Sequence, residues 1–305
     1  MKDFIKKVVV LLGGSSVERE VSLVSGHECA AALLRQGYEV FQVDTKENFI
    51  DQLVDLRPDV IFNALHGKWG EDGAIQGVLE VLKLPYTHSG ILASSVAMNK
   101  DLAKIYFRDA GLPVADHLVL KCGFEIKDIP FPYPYVIKPL SGGSSVDVHI
   151  LEKEEDWSTK KISKTDLSVE FLVEPFIPGR ELTVTIMDDR ALAVTDIVSE
   201  TWYDYNAKYE LGGSKHILPA EIPNKISQLC LSYALKAHTI LGCRGVSRVD
   251  FRWNEKLGSR GLFILELNTQ PGMTPTSLVP EQAKYAGVSF EDLCKWLIED
   301  ASCDR

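Results

Sequence analysis

Apolar residues in the first ninety positions follow two alternating rhythms. KKVVVLL (6–12), EVFQVD (39–44) and DVIFNAL (59–65) are short runs rich in Val, Ile and Phe, the signature of strands buried on both faces. Between them, Leu23, His27, Ala30 and Leu34 recur at helical spacing up to Gly37, and NFIDQLVDL (48–56) carries a second apolar stripe. This βαβαβ order predicts a parallel sheet with right-handed crossovers, a Rossmann-like α/β unit. Ligands of such sheets sit beyond the carboxyl ends of the strands, and two unusual loops fall there, GGSSVERE after the first strand and HGKWGEDG after the third.

A helix is predicted over Leu92 to Ala110, stopped by Gly111-Leu112-Pro113. The rhythm then changes. FPYPYVIKPL, VDVHILEK, SVEFLVEPFI, ELTVTIMDD and ALAVTDIVS are short strand-like runs separated by turn residues, which predicts an antiparallel α+β region. Further on come a helix around SQLCLSYALKAHTIL, strands GVSRVDFRW and LFILELN joined by EKLGSRG, and a last helix near FEDLCKWLIED. Boundaries near Ala97 and Arg180 divide the chain into units 1–97, 98–180 and 181–305.

A chain of 305 residues is long enough for two or three cores with clefts between them. A net charge of -10 argues against nonspecific attraction to nucleic acid or an anionic membrane, so an anionic ligand needs locally placed Lys, Arg or metal. No segment has the ~20 apolar residues that span a bilayer. The first apolar run is followed by EREV where an export signal has small residues, so a cytoplasmic protein is expected. Six scattered cysteines without a C-x-x-C pair fit reduced thiols better than a disulfide framework or a zinc site.

Several constellations carry chemistry. Asp250 lies on one strand of the expected hairpin and Glu266 and Asn268 share a face of the other, which offers three oxygen donors to a hard cation such as Mg2+. The competing reading is the polar face of a half-exposed hairpin, and the Thr/Pro/Gly-rich TQPGMTPTSLVP directly after it weighs toward the cation. In VIKPLSGGSSVDV (136–148), Gly142, Gly143 and Ser144 suit a phosphate cradle beside Lys138, or else a hairpin tip that binds nothing. VEPFIPGREL places Glu174 and Glu181 about a Pro-Gly turn, either a hinge for a flat base or an ordinary connection. Glu18 suits the dipole at the start of the first helix and equally suits a substrate ammonium. His66 occupies the corresponding edge after the third strand, and the tyrosine-rich YDYNAKYELGGSKH, with Lys208, reads as a lid or as a pinned surface loop.

Taken in order, GGSSVEREVSLVSG, FNALHGKWGEDGAIQGVLE, MNKDLAK, VIKPLSGGSSV, VEPFIPGRELTV, YDYNAKY, SRVDF and LELNTQPGMTPTSLVP resemble the D-alanine-D-alanine ligases of the ATP-grasp superfamily across nearly the whole chain. The resemblance implies a Rossmann-like domain followed by a two-lobed ATP-grasp fold, and ATP-dependent joining of two D-alanines through an acyl phosphate for peptidoglycan. It also implies two Mg2+ ions (or Mn2+) on Asp250, Glu266 and Asn268, and phosphate contacts from Lys100, Lys138, Ser144 and Lys208. Adenine would meet Glu174, Ile177 and Glu181, and the oxyanion would face Arg248 and the Gly272 N-H. Glu18 and His66 would hold the first D-alanine, and Ser277 and Leu278 the carboxylate of the second. Glu18, Ser144 and Tyr209 would form a closing trio, and the protein would be a homodimer. Pro175 and Asp147 depart from the family pattern, the first removing a hinge N-H and the second replacing a glycine in the phosphate loop. A D-alanine-D-lactate ligase and a nucleotide-binding module without catalysis are the competing readings.

Overall fold

The computed structural model describes residues 6–120, 129–143, 146–159, 170–198 and 215–304. Strands β1 (Lys7–Leu12), β2 (Glu39–Asp44) and β3 (Val60–Asn63) form a parallel sheet in the order β2-β1-β3. It is interleaved with helices α1 (Arg19–Arg35), α2 (Phe49–Leu56) and α3 (Ala74–Leu82). Val8, Val9, Val10 and Leu11 are fully buried, as a central strand covered on both faces requires.

Helix α1 lies where its periodicity predicts but is rotated from the expected face. Ala30 is buried, whereas Leu34 is 55% exposed, and the contact face is Val21, Ser22, Ser25, Gly26, Cys29, Ala32 and Leu33. The cause is close packing: a Cβ on Gly26 would stand 2.5 Å from Leu12 Cβ, so the buried side is marked largely by small residues such as Ser22, Ser25, Gly26 and Cys29. Ser22 Oγ then donates to the Ala64 carbonyl at 2.8 Å and accepts from the Gly13 N-H at 2.9 Å, tying the helix to two strand ends.

The helix expected over Leu92 to Ala110 is two helices, α4 (Ile91–Met98) and α5 (Lys100–Asp109). Asn99 between them is extended, with φ -88° and ψ 102°, and its side-chain oxygen accepts from the N-H groups of Asp101 and Leu102. An N-cap of this kind restarts the helix on a new axis and turns Lys100 inward, where its backbone N-H donates to Leu140 O at 3.1 Å.

Next comes a four-stranded antiparallel sheet of β4 (Leu118–Leu120), β5 (Tyr135–Pro139), β6 (His149–Leu151) and β7 (Phe171–Pro175), in the order β4-β7-β5-β6. The short helix α6 (Asp156–Thr159) supplies Trp157, which packs in this sheet's core and donates from its indole to Tyr135 Oη at 2.8 Å. The third sheet, also antiparallel, contains β8 (Arg180–Met187), β9 (Arg190–Val198), β10 (Lys215–Ile217), β11 (Val246–Trp253) and β12 (Leu262–Asn268), in the order β10-β9-β8-β11-β12.

Helix α7 (Asn224–Ile240) joins α4 and α5 in burying one apolar face of this third sheet. Helix α8 (Leu278–Tyr285) starts inside the stretch read from sequence as loop, because Pro280 occupies its first turn, where a missing N-H costs no hydrogen bond. Its Gln282 amide is buried against β8 and β9, accepting from Thr185 N and donating to Thr195 Oγ1. Finally α9 (Phe290–Asp300) returns to the first sheet, with Leu293 and Leu297 packed among Val8 and Phe62. The chain thus closes on its own beginning.

Candidate active site

A cleft opens between the two antiparallel sheets, lined in part by Lys100, Lys138, Glu174, Ile177, Glu181 and Glu266. Its roof is the β5–β6 hairpin, and the register Tyr135↔Leu151 to Ile137↔His149 places Gly142 and Gly143 in the connection. Gly142 has φ +154° and Asp147 has φ +55°. The loop therefore does make a left-handed turn at Asp147, a conformation that aspartate tolerates better than most residues. Pro175 ends β7 opposite Tyr135, and the neighbouring Phe176 N-H donates to Pro134 O at 3.1 Å, so the hinge backbone is held from the next residue.

Behind the cleft wall lies a buried charged triad. Glu174 Oε1 accepts from Lys138 Nζ at 2.6 Å and Oε2 from Lys104 Nζ at 2.5 Å. Burial alone raises this carboxyl's pKa, but the two ammonium groups outweigh it and take it down to about 2. Lys100 Nζ donates to the Gly142 carbonyl at 2.5 Å and stands 3.7 Å from Glu266. At the hinge, Arg252 donates to the Ile177 carbonyl at 3.1 Å and approaches Glu181 at 3.4 Å.

On the floor, Asp250 of β11 faces Glu266 of β12 directly and Arg248 faces Asn268, with the register shifting just after Asp250. The Arg248 guanidinium forks onto Asp250 (Nε to Oδ1 2.8 Å, Nη2 to Oδ2 2.7 Å). Thr183 Oγ1 and Asn268 Nδ2 also donate to the Asp250 carboxylate, at 2.6 and 3.2 Å. The three expected cation donors are thus brought together, and all are hard oxygen ligands, which fits Mg2+. Among the described residues no group of three His, Cys, Asp or Glu side chains is placed to hold a metal, and the Asp250 carboxylate is engaged by Arg248, Thr183 and Asn268.

The third wall comes from the parallel sheet. Glu18, at the N-terminus of α1, is buried, and its carboxylate lies within 3.1 to 3.2 Å of where a Cβ on Gly143 would be. Glu71 is buried against the same glycine and accepts from the Gly67 N-H at 3.0 Å. Its surroundings, first burial and then the nearby Glu18 carboxylate, push its pKa well above the usual carboxylate range. The loops of the parallel sheet and the β5–β6 hairpin therefore meet at Gly143.

Gln270 locks the remaining loop in place. Its Nε2 donates to Asn63 O at 2.6 Å, its Oε1 accepts from Asn63 Nδ2 at 2.8 Å, and its own carbonyl lies 3.2 Å from His66 Nδ1. That carbonyl can only accept, so His66 carries its proton on Nδ1, and Nε2 accepts from Ser25 Oγ at 3.2 Å. Burial takes the His66 pKa down to about 4 despite the hydrogen bond to Gln270, so the ring is neutral near pH 7. Ser25 Oγ accepts in turn from Met273 N at 3.2 Å. Beyond it, Gly272 packs so tightly on Ser277 that an added Cβ would stand 2.9 Å from Ser277 Oγ. Ser277 precedes α8, and Leu278 is its first residue, one of those whose N-H lacks an acceptor within the helix.

A family model described as D-ala D-ala ligase C-terminus matches residues 106–299, and one described as D-ala D-ala ligase N-terminus matches residues 44–89. The chain belongs to the D-alanine-D-alanine ligase family. It is 56% identical over 300 residues to the D-alanine-D-alanine ligase of Ruegeria sp. (strain TM1040), covering 98% of this chain and 97% of that protein. The ligase of Cereibacter sphaeroides (strain ATCC 17025) is 54% identical over 299 residues, with the same two coverages of 98% and 97%. In structure the chain resembles the Bacillus anthracis D-alanine-D-alanine ligase complexed with ATP, with a TM-score of 0.82 and 29% identity over 97% of both chains. The architecture is the ligase family's: a parallel-sheet domain followed by two antiparallel lobes of ATP-grasp type.

Within this ligase fold, the residues singled out from sequence fall into three groups. Lys100, Lys138, Glu174, Ile177, Glu181, Asp250 and Glu266 line one cleft, with Arg248 and Asn268 bonded to its Asp250; Glu18 reaches it through Gly143. His66, Gly272, Ser277 and Leu278 lie along the Gln270 connection. Ser144, Lys208 and Tyr209 lie outside the described residues. Sequence reasoning passed over Glu71, Lys104 and Gln270. Glu71 was within view, in the same HGKWGEDG loop as His66, and Lys104 sits one turn after Lys100 on α5.

Proposed function

We propose that this site joins two D-alanines in two steps driven by ATP. The first D-alanine's carboxylate attacks the γ-phosphate, releasing ADP and leaving an acyl phosphate; the second D-alanine's amine, having lost a proton, attacks that carbonyl and phosphate departs. The observation that carries this reading is the meeting at Gly143, where the buried carboxylate of Glu18 stands against the glycine hairpin that roofs the lysine-lined cleft. A substrate held through its ammonium by Glu18, with neutral His66 beside it, would present its carboxylate toward a nucleotide held by Lys100 and Lys138. Oriented in this way, the reactants need no diffusive search.

Ile177 and Glu181 at the hinge would meet adenine, with the Glu174 carboxylate turned to its two lysines behind them. Asp250, Glu266 and Asn268 would hold Mg2+, whose charge would offset that developing on the transferred phosphoryl group. The fork onto Asp250 holds the Arg248 guanidinium in one orientation, from which it and the Gly272 N-H would face the oxyanion. Ser277 Oγ and the Leu278 N-H at the head of α8 would receive the second D-alanine's carboxylate. Ser144, Lys208 and Tyr209 complete the reading as residues that close over the site and keep water from the acyl phosphate. The units 1–97, 98–180 and 181–305 would then carry one sheet each, with Ala97 falling within α4 and Arg180 at the first residue of β8.

The test is a mass-spectrometric assay for D-alanyl-D-alanine formed from D-alanine, ATP and Mg2+, with Glu18→Gln and Arg248→Ala alongside. Dipeptide from the unmodified protein and a fall of about 10²-fold or more in each variant are expected. Full activity in both variants would refute the residue roles, and no dipeptide at all would refute the reaction.

A further inference from the structure

Lys104 is one of the most deeply buried side chains in the protein, 1% exposed, and the roles assigned above leave it unused. It projects from α5 one turn after Lys100, but the two lysines face different things. Lys100 reaches the hairpin carbonyl of Gly142 and the carboxylate of Glu266, in the cleft. Lys104 does not line the cleft; its ammonium meets Glu174 Oε2, while Lys138 takes Oε1 of the same carboxylate.

The arrangement is unbalanced: two ammonium groups share one carboxylate, with all three side chains buried. A buried pair of one lysine and one glutamate would be neutral, and a third buried charge adds a desolvation cost that a fold has no structural need to bear. The excess positive charge therefore calls for a use. Lys138 is the member of the triad that faces the cleft. If Glu174 bonded Lys138 alone, the carboxylate could rotate onto it with both oxygens and cancel its charge. Because Lys104 claims Oε2, Lys138 is left with one hydrogen bond to Glu174, a fixed direction and an ammonium whose charge is not neutralised.

We propose that Lys104 is a positioning residue for nucleotide binding, acting through Glu174 to keep Lys138 aimed at the phosphates of the bound nucleotide and the triad at a net charge of +1. The inference rests on the reading of the cleft as the ATP site. It concerns nucleotide affinity and leaves the D-alanine contacts untouched. Removing the Lys104 ammonium turns the triad into a neutral pair, so an anionic ligand loses attraction while the protein loses one buried charge and gains no cavity if methionine replaces it.

The experiment compares the full-length protein with Lys104→Met and Lys104→Arg. Mg-ADP affinity is measured by calorimetry, KM for ATP and for D-alanine by steady-state kinetics, and Tm by calorimetric melting. For Lys104→Met the expected result is a roughly 10-fold or greater weakening of Mg-ADP binding and a matching rise in KM for ATP, the order of effect of losing a charge-assisted contact. KM for D-alanine should stay within about twofold and Tm should be unchanged or higher. Lys104→Arg, which restores the charge, should recover most of the nucleotide affinity. Unchanged Mg-ADP affinity in Lys104→Met, or parallel loss of every parameter with a lowered Tm, overturns the proposal and leaves Lys104 a structural residue. An unmodified protein that binds Mg-ADP but makes no dipeptide would sink the ligase reading alone, since the affinities can still be compared; one that binds no nucleotide would sink both.

Discussion

Placing a methyl group on Gly67 tests whether the loop after β3 positions Glu18. The added Cβ would lie 2.4 Å from both Glu18 Oε2 and Ser16 Oγ, against 3.4 Å for an ordinary contact, so the carboxylate must retreat by about 1 Å. Gly67 also has φ +71°, where an L-residue costs ~1–2 kcal/mol of backbone strain. Two effects are therefore superposed, and Gly37 separates them: it has φ +86° with no atom within 4 Å of the added Cβ, so Gly37→Ala carries the strain without the displacement. Both variants should lose ~1–2 kcal/mol in urea unfolding. Only Gly67→Ala should lose about 10²-fold in kcat/KM for D-alanine, the penalty expected when a reacting group's partner moves by about 1 Å. Coupled-enzyme rates at varied D-alanine and saturating ATP read the difference. Equal D-alanine kinetics in the two variants would show that Glu18 does not depend on this loop, and the placement of the first substrate against it would fall.

The two buried histidines should erode stability on mild acidification. His66 and His238 are buried with pKa values of about 4, below the ordinary value of 6.5, chiefly through burial. The unfolded chain then takes up protons first, so their contributions are fully present above pH 6.5 and are lost as pH falls toward 4. Each histidine adds a slope of up to ~1.4 kcal/mol per pH unit in that window, and urea unfolding between pH 7.5 and 5 should be flatter for His66→Gln than for the unmodified protein. Asn99→Ala should cost ~1 kcal/mol by loss of the α5 cap and raise KM for ATP, because the cap sets the direction in which Lys100 leaves the helix. A normal KM for ATP in a destabilised Asn99→Ala protein would detach Lys100 from that cap.

Local signals were legible in the sequence wherever one interaction dominated. Strands of the first sheet declare themselves through β-branched runs because β1 is buried on both faces, and the β11–β12 pair shows its polar face because Glu266 and Asn268 alternate with apolar neighbours. The features that were not legible depend on partners distant along the chain. The α1 face was misplaced because leucine at helical spacing normally marks a core, whereas Leu12 here demands a glycine opposite it. The break at Asn99 is a single cap between two good helical stretches, made favourable by the bond from Lys100 N to Leu140 O, 40 residues away. Gln270 spans 207 residues to Asn63, and nothing in TQPGMT indicates that its amide is the clamp.

The same distinction explains which site residues were visible. Those that would touch substrate or nucleotide lie in glycine-rich or acidic loops whose composition is itself unusual, and so Glu18, His66, Lys138 and Glu266 stood out. The residues that hold them in place have ordinary neighbours. Lys104 reads in sequence as a routine polar position in KDLAKIYFRD, yet it is buried and bonded to a carboxylate 70 residues away. A solvated lysine and a buried one look identical until tertiary structure brings the Glu174 carboxylate to its side. The energetics then run opposite to a surface ion pair: exposed, the contact would contribute little, but inside the protein the same two groups determine the charge that the cleft presents to an anion.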